Sequence, residues 1–501
     1  MEAAEVLPAG SDGSPAALAT RILTSERQVT RLGEGVFQAG RITHEAMEFT
    51  CGMLSRMAQI YRKLDVVGVR AVATSAVRDA QNQQEFLDRA AAALGAPVEV
   101  ISGKEEARLI HLGVQARWPH PEQRLLLLDI GGGSAEIILS EKGRLAESFS
   151  KPLGALRLTE VFLENDPPSP RDLRRLESYI EEKAASALGR IGRRPFDRAI
   201  GTSSTAAAVA CAVHRLPRSR RDQADRLSVK TSQARKFYEQ VQAKDLAARR
   251  KIPGIGPRRA QIIIAGAAVL ARIMQDFQLS SLYYSAAGVR DGIIADLAAR
   301  GVGRELSRLS RDQRRTVEEM TRRYGVSMDH ARKVAELAAD LFESLAPLHG
   351  LPPAFGRLLE AAAYLHDVGH YVSDTGHHKH SYYLVANSDL AGFTNRERLF
   401  IANLCRYHRK AAPRPGQESF QSLEAADRRA VILLMPLLRL ADNLDRSHEQ
   451  RVERVHCRIR EGDVALHLAA RGDTDLEQWA AQQVEEVFRD AYQRPVKVLR
   501  A

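Results

Sequence analysis

Residues 125–134 read Leu-Leu-Leu-Leu-Asp-Ile-Gly-Gly-Gly-Ser, and this segment limits the possible folds more than any other. An unbroken apolar run of this length is the pattern of a strand buried on both faces, as in the central sheet of an α/β layer. Gly131, Gly132 and Gly133 lack Cβ atoms, so successive N–H groups can converge on an anion, and Ser134 adds a hydroxyl donor. Asp129, at the strand end, can hold a hydrated Mg²⁺ beside that anion. A glycine-rich hairpin with a capping aspartate is spelled the same way. The turn alone leaves both readings open.

The surrounding sequence alternates helix and strand. The spacing predicts a helix over Ile42–Lys63, a strand over Val66–Thr74, a helix capped by Asn82 and closed by Gly95, and a strand over Val98–Ile101. Strands are expected again at Leu125–Ile130, Ala135–Ser140, Asp197–Gly201 and Ser281–Ser285, with a helix over Arg171–Leu188. This is α/β architecture. From about Arg304 to Ala441 the periodicity is helical, and Arg454–Ala501 reads as a small α+β appendage, with a boundary near Gly301–Arg304.

A length of 501 residues implies several domains. Lys plus Arg number 73 against 62 Asp plus Glu, a net charge of +11 that favours polyanionic partners such as nucleotides, polyphosphate or nucleic acid. The cysteines Cys51, Cys211, Cys405 and Cys457 are scattered, which indicates neither a disulfide framework nor a zinc knuckle and suits a reducing, cytoplasmic setting. The apolar run Ile262–Ala271 is too short to span a bilayer, and no signal peptide is evident, so no membrane association is expected.

Two further strand ends carry charge into a following helix. They are Ala73-Thr-Ser-Ala-Val-Arg78 and Ile101-Ser-Gly-Lys-Glu-Glu-Ala-Arg-Leu109. Ligands of α/β sheets gather at carboxyl ends of strands, which allows an arginine that grips phosphate to meet a glutamate that activates water. Taken singly, each is more often a surface ion pair.

These segments, with Asp129-Ile-Gly-Gly-Gly-Ser134, Gly201-Thr-Ser-Ser-Thr205, Gly288-Val-Arg-Asp-Gly292 and Arg406-Tyr-His-Arg-Lys410, resemble the exopolyphosphatase and guanosine pentaphosphate phosphohydrolase family from about Arg31 to Lys410. The resemblance implies duplicated actin/hexokinase-like (ribonuclease H-like) domains, here residues 1–120 and 121–300, followed by an all-α HD-type domain at 304–450 and the appendage at 454–501. It implies Glu106 and Arg78 as catalytic residues, and Asp129 and Glu136 as metal-associated carboxylates. Gly131, Gly132, Gly133 and Ser134, with Gly201, Thr202 and Ser203, become phosphate loops, and Mg²⁺ the ion. The implied substrates are inorganic polyphosphate or guanosine pentaphosphate, whose terminal phosphate is released. A catalytically weakened sensor of the same ligands is the alternative, and a homodimer is allowed.

One departure stands out. The family opens with an Asp-Ile-Gly-Ser-Asn-Ser type loop, which by spacing falls near Glu5–Leu7, where no suitable strand or loop is legible; Ala9–Ser14 reads as an unstructured polar turn. Either the native beginning is missing or the chain is a divergent member.

Ile252-Pro-Gly-Ile-Gly-Pro-Arg-Arg-Ala-Gln261 matches the turn of a helix-hairpin-helix module. The helix expected after it, Ile262–Met274, is apolar on every face, so a buried structural role is favoured and nucleic acid is disfavoured as a partner. In the helical region His330, His366-Asp367 and Asp442 interrupt apolar faces in the order of the HD phosphohydrolase superfamily. That resemblance implies a second divalent-metal site, with His380 and His408 as further ligands and His377 and His378 as loop residues.

Overall fold

Leu125, Leu126, Leu127 and Leu128 are all buried, but they serve two cores. Leu126 and Leu128 join one cluster with Ile137, Leu176, Ile180, Ile263 and Ile264, while Leu125 and Leu127 join Ala107, Ile110, Val114 and Ile138. A period of two places alternate side chains on opposite faces, so a leucine at every position puts helices on both sides of this strand.

The computed structural model describes residues 1–6, 20–64, 66–299, 307–410, 412–414 and 416–500, without the side chains of 222 and 500. The chain divides into two compact units, Met1–Ala299 and Arg300–Ala501. In unit 1 a mixed six-stranded sheet runs in the order Arg144–Lys151, Ala135–Glu141, Arg124–Ile130, Arg198–Thr202, Ser281–Tyr284, Ser228–Lys230. The helices Pro170–Ile191 and Arg259–Asp276 cover one face, and Gly103–Arg117 covers the other. Ser169 opens the first of these through a capping box with Asp172 and Pro170 in the first turn.

The rest of unit 1 differs from the sequence expectation. The strand expected over Val66–Thr74 shortens to Ala71–Ala73, paired in parallel with Val98–Val100. Val67 is 95% exposed, so the β-branched run begins outside any core. Asn82 does not cap its helix through its side chain; its amide instead bonds both the N–H and the carbonyl of Ile42, at 2.9 and 3.0 Å. Although no suitable strand is legible in the sequence near Glu5–Leu7, Glu2–Val6 pairs antiparallel with Thr20–Ser25. Glu5 and Val6 therefore lie in a ladder, where their backbone groups serve the partner strand and not a phosphate turn. Leu7 and Ala9–Ser14 fall outside the described residues.

Unit 2 is helical among the described residues 307–443, with the main helices Arg311–Arg323, Met328–Ser344, Ala354–Leu365, His377–Ala386, Asn395–Tyr407 and Ala425–Asn443. A three-stranded sheet follows, with Val464–Ala470 between Val452–Ile459 and Val496–Arg500. Val452, Val455, Leu466 and Phe488 share one buried cluster with Val334, Leu359 and Leu438. The C-terminal stretch thus contributes to the same core as the helices.

Candidate active site and a second side-chain cluster

The site in unit 1 follows from strand register. Asp129 lies opposite Glu136 across the antiparallel pair and beside Thr202 on the parallel neighbour. Directly opposed residues share one sheet face, so two carboxylates and a hydroxyl gather at the strand ends. The Thr202 hydroxyl donates a short hydrogen bond to Asp129, and that of Ser150 donates to Glu136 at 2.8 Å. Glu106 enters from the first turn of Gly103–Arg117, a helix whose start is fixed by the Ser102 hydroxyl accepting from the Glu105 N–H. Its Oε2 lies 3.7 Å from the Arg78 guanidinium, which also donates to the Ile101 carbonyl at 2.6 Å.

Burial raises the pKa of all three acids. Glu106 is pushed up to about 7 by burial, with Arg78 opposing and Asp129 adding to the rise. Asp129 is pushed up to about 6 by burial, against the Thr202 hydrogen bond. Glu136 is held well above the usual range by burial, then by Glu106 and Asp129. Oε2 of Glu106 and Oε2 of Glu136 are buried without hydrogen-bond partners. Oxygen donors with too little positive charge around them fit a hard divalent cation such as Mg²⁺, with Asp129 and Glu136 placed to hold it.

The Gly131–Ser134 turn closes through Gly131 N–H to the Ser134 carbonyl at 3.0 Å. The carbonyls of Gly131 and Gly132 accept from Ala155, Leu156 and Arg157 at the start of helix Ala155–Phe162. With those carbonyls and the Gly131 N–H engaged, the N–H groups of Gly132, Gly133 and Ser134 are what the turn can offer an anion. A side chain at Gly133 would collide with Ser75 and Phe37, so glycine is required there by space alone. The hydroxyls assigned to phosphate are otherwise occupied: Ser134 bonds Glu136, Thr202 bonds Asp129, and Ser203 donates to the Ile130 carbonyl at 2.9 Å. Ser203 has φ +71, a strained value for a residue with a side chain, at the junction with helix Ser203–Val213.

Unit 2 gathers His330, His366, Asp367 and Asp442 as the motif order implies. Asp442 Oδ1 is 3.5 Å from Nε2 of both His330 and His366, and Asp367 Oδ2 is 4.0 and 3.6 Å from the same atoms. Nε2 of each ring is buried without a hydrogen-bond partner, which fits a divalent ion held between imidazoles and carboxylates. His408 also approaches Asp367, at 3.7 Å. His380 does not belong to either group of metal-competent side chains among the described residues. Its expected place is taken by His377, one helical turn earlier, and by His370. Nor are His377 and His378 loop residues: both are buried at the start of helix His377–Ala386.

A model of the Ppx/GppA phosphatase family matches residues 13–300, and one of Ppx/GppA phosphatase domain III matches residues 313–483. The chain belongs to the Ppx/GppA phosphatase family. An exopolyphosphatase from Cytophaga hutchinsonii is similar at 27% identity, with 57% of this chain and 91% of that chain covered and a TM-score of 0.52. An exopolyphosphatase-like protein is similar at 26% identity over 56% of this chain and 90% of the other, with a TM-score of 0.53. Membership makes this chain one of a family of phosphohydrolases with a mixed α/β fold and a helical C-terminal part. No helix among the described residues is long and apolar enough to cross a membrane.

Sequence reasoning missed the arginines around this Ppx/GppA site. The Arg157 guanidinium donates to the Gly133 carbonyl at 2.6 Å, pairs with Asp79 and lies 4.1 Å over the Phe37 ring, which braces the glycine turn. Arg221 reaches the Tyr284 hydroxyl at 3.2 Å and the Ser203 carbonyl at 3.4 Å. Arg259 is depressed to about 10 by burial and then by Arg221, and Arg290 is lowered by burial and then by Arg27. Glu2, 3.7 Å from Arg290, opposes that fall only in part, and arginines whose charge burial and like charges disfavour suit an anionic ligand. The only sequence signal was Pro257-Arg258-Arg259 in the turn that resembles a helix-hairpin-helix. The helix after that turn, Arg259–Asp276, is buried along most of its length, as a structural role requires.

Proposed function

We propose that unit 1 releases the terminal phosphate of inorganic polyphosphate, with guanosine pentaphosphate as the alternative substrate, in the cytoplasm. The observation that carries this reading is Glu106: a buried carboxylate pushed up to about 7 by burial, 3.7 Å from Arg78 and raised further by the charge of Asp129. A general base works best with a pKa near the working pH. Glu106 takes the proton of the attacking water, and the Arg78 guanidinium binds the phosphate being lost in ground and transition states alike. The turn N–H groups of Gly132, Gly133 and Ser134 position a neighbouring phosphate. Mg²⁺ bound at Asp129 and Glu136 would neutralise phosphate charge. The arginines Arg27, Arg221, Arg259 and Arg290 support a polyanionic substrate.

The test is Glu106→Gln, assayed for phosphate release from polyphosphate and from guanosine pentaphosphate. Binding is retained, and turnover falls on the order of 10²-fold or more on the true substrate. Parent-like turnover on both would remove Glu106 as the base. The parent's ratio of kcat/KM for the two substrates assigns the main one.

A further inference from the structure

In unit 1, at the end of the sheet away from Glu106, two arginines are held by aromatic rings. Arg198 opens the strand that closes on Thr202, about 13 Å away at the rise of a strand. Trp118 caps the far end of helix Gly103–Arg117, about 18 Å along its axis from Glu106. The Arg198 Cζ lies 4.7 Å from the ring centroid of Trp118 and 4.7 Å from that of Tyr283, in the corner that the two rings make at 75°. The Arg226 Cζ lies 5.4 Å from the Trp118 ring, and the His120 ring lies 4.9 Å from it.

A ring holds a guanidinium through its charge and leaves the N–H groups unused, whereas a carboxylate would engage both. Nε of Arg198 is buried without a hydrogen-bond partner, and so is Nε2 of His120. The flanking acids are turned to other groups. Asp197 accepts from the Arg124 N–H at 2.7 Å, while Asp225 accepts from the Ala286 N–H at 2.7 Å and lies 3.6 Å from Arg117. Burial, then Arg198 and Arg226, lower the pKa of His120, and a neutral imidazole still has a proton to donate. Arg226 has φ +67, a left-handed value fixed by its N–H donating to the Tyr284 carbonyl at 2.7 Å. One of its guanidinium nitrogens reaches the Arg117 carbonyl at 3.4 Å, which leaves the other donors open.

We propose that Arg198, Arg226 and His120 form a second oxyanion site of unit 1, at the opposite end of the sheet from the glycine turn, and that it takes a phosphate-type group. Trp118 already meets Arg198, Arg226, His120 and Tyr283, so little ring is left to stack a nucleobase. What the cluster has to offer is N–H donors and positive charge, which suit the oxygens of a phosphate. The phosphate belongs either to a free ion or to an outlying part of a polyphosphate chain whose end sits near Arg78. The site does not depend on the assignment of Glu106, because it shares no residue with the catalytic cluster.

The test uses Trp118 as its own reporter. The chain has 2 tryptophans, and Trp479 is 59% exposed in unit 2, so Trp479→Phe leaves Trp118 alone without opening a core. The full chain with Trp479→Phe and Glu106→Gln, which spares the polyphosphate, is titrated with inorganic phosphate, tripolyphosphate and long-chain polyphosphate, against chloride at equal ionic strength. Trp118 emission should change saturably with at least one of the three. Arg198→Gln should raise the half-saturating concentration at least tenfold, and so should Arg226→Gln, whose exposed side chain keeps the fold out of the comparison. Saturation by inorganic phosphate that survives Arg78→Ala assigns a free ion. Saturation by the chains alone, weakened by Arg78→Ala, assigns an outlying group of the substrate. No saturable change beyond that of chloride, a half-saturation untouched by Arg226→Gln, or a response to inorganic phosphate that Arg78→Ala abolishes overturns the site.

Discussion

The two clusters bury carboxylates in opposite electrostatic settings. In unit 1, Glu106, Asp129 and Glu136 meet one another, Arg78 opposes burial at Glu106, and burial still drives all three pKa values up. In unit 2, burial also works to raise Asp367 and Asp442, but the histidines win and both are held well below the usual carboxylate range. His366 is raised to about 9 by the same pairing, its burial outweighed by Asp367 and Asp442. Burial resists ionisation of the first cluster, which a cation would offset; the second carries its compensating charge on imidazoles. A hard oxygen site and a nitrogen-rich site therefore coexist in one chain, each with its own response to pH and metal.

The largest effect that distinguishes them is expected at Arg78, the nearest compensating charge in unit 1. Arg78→Ala should lower kcat/KM for the phosphate substrate about 10²-fold, with KM raised as well as kcat lowered, because a charge-assisted contact of about 1.5–3 kcal/mol is lost in both states. Steady-state kinetics read this directly. Unchanged kcat and KM would mean that Arg78 braces Glu106 without touching substrate. Metal retained by unit 2 should not change.

The pH dependence comes next. For the metal-free protein, Asp129 and Glu106 contribute stability that is fully present below their ordinary values of 3.8 and 4.5 and is lost as pH rises through about 6 and about 7. In unit 2 the depressed Asp367 and Asp442 contribute stability above about 3.8 that is lost on acidification. His408, lowered to about 3 by burial and then by His366, adds to that acid loss below 6.5. Local stability should therefore fall with pH in unit 1 and rise in unit 2 between pH 4 and 6.5. Hydrogen exchange of the Leu126–Leu128 and Leu359–Ala363 amides, corrected for intrinsic rates, measures both slopes. Parallel slopes would erase the contrast.

The legible parts of this molecule are those where one residue type had one reason to be present. Leu125–Leu128 signalled a doubly covered strand because both faces needed leucine, and the alternation around it signalled α/β layers. Arg144–Lys151 went unseen because a polar strand at the end of the sheet order needs no apolar run, and Glu2–Val6 because pairing with Thr20–Ser25 supplies what its own residues do not announce. Glu106 and Arg78 were legible from their strand-to-helix junctions. The second pole of the unit 2 cluster was not. His370 and His377 reach Asp367 because a short 3₁₀ turn over Val368–Tyr371 and a helix starting after Gly376, at φ +74, return the chain to it. Motif order carries no such path, so it points to His380 and passes over His377.

The smallest effect concerns the hydrogen bond that works against burial at Asp129. The Thr202 hydroxyl donates to Asp129 and favours its ionised form. Thr202→Val keeps the shape of this buried position and removes the donor, so the Asp129 pKa should rise further from about 6. A hydrogen bond to a charged group contributes roughly 1.5–3 kcal/mol, and a pKa unit corresponds to about 1.4 kcal/mol, so the rise should be about one to two units. At pH 7 more of the Asp129 population is then protonated, and the Mg²⁺ concentration for half-maximal phosphate release should increase several-fold. At pH 9, where Asp129 is ionised in both proteins, the difference should shrink. A Mg²⁺ titration at the two pH values decides the matter: an equal deficit at both would point to lost packing, and no deficit at either would detach Asp129 from the cation.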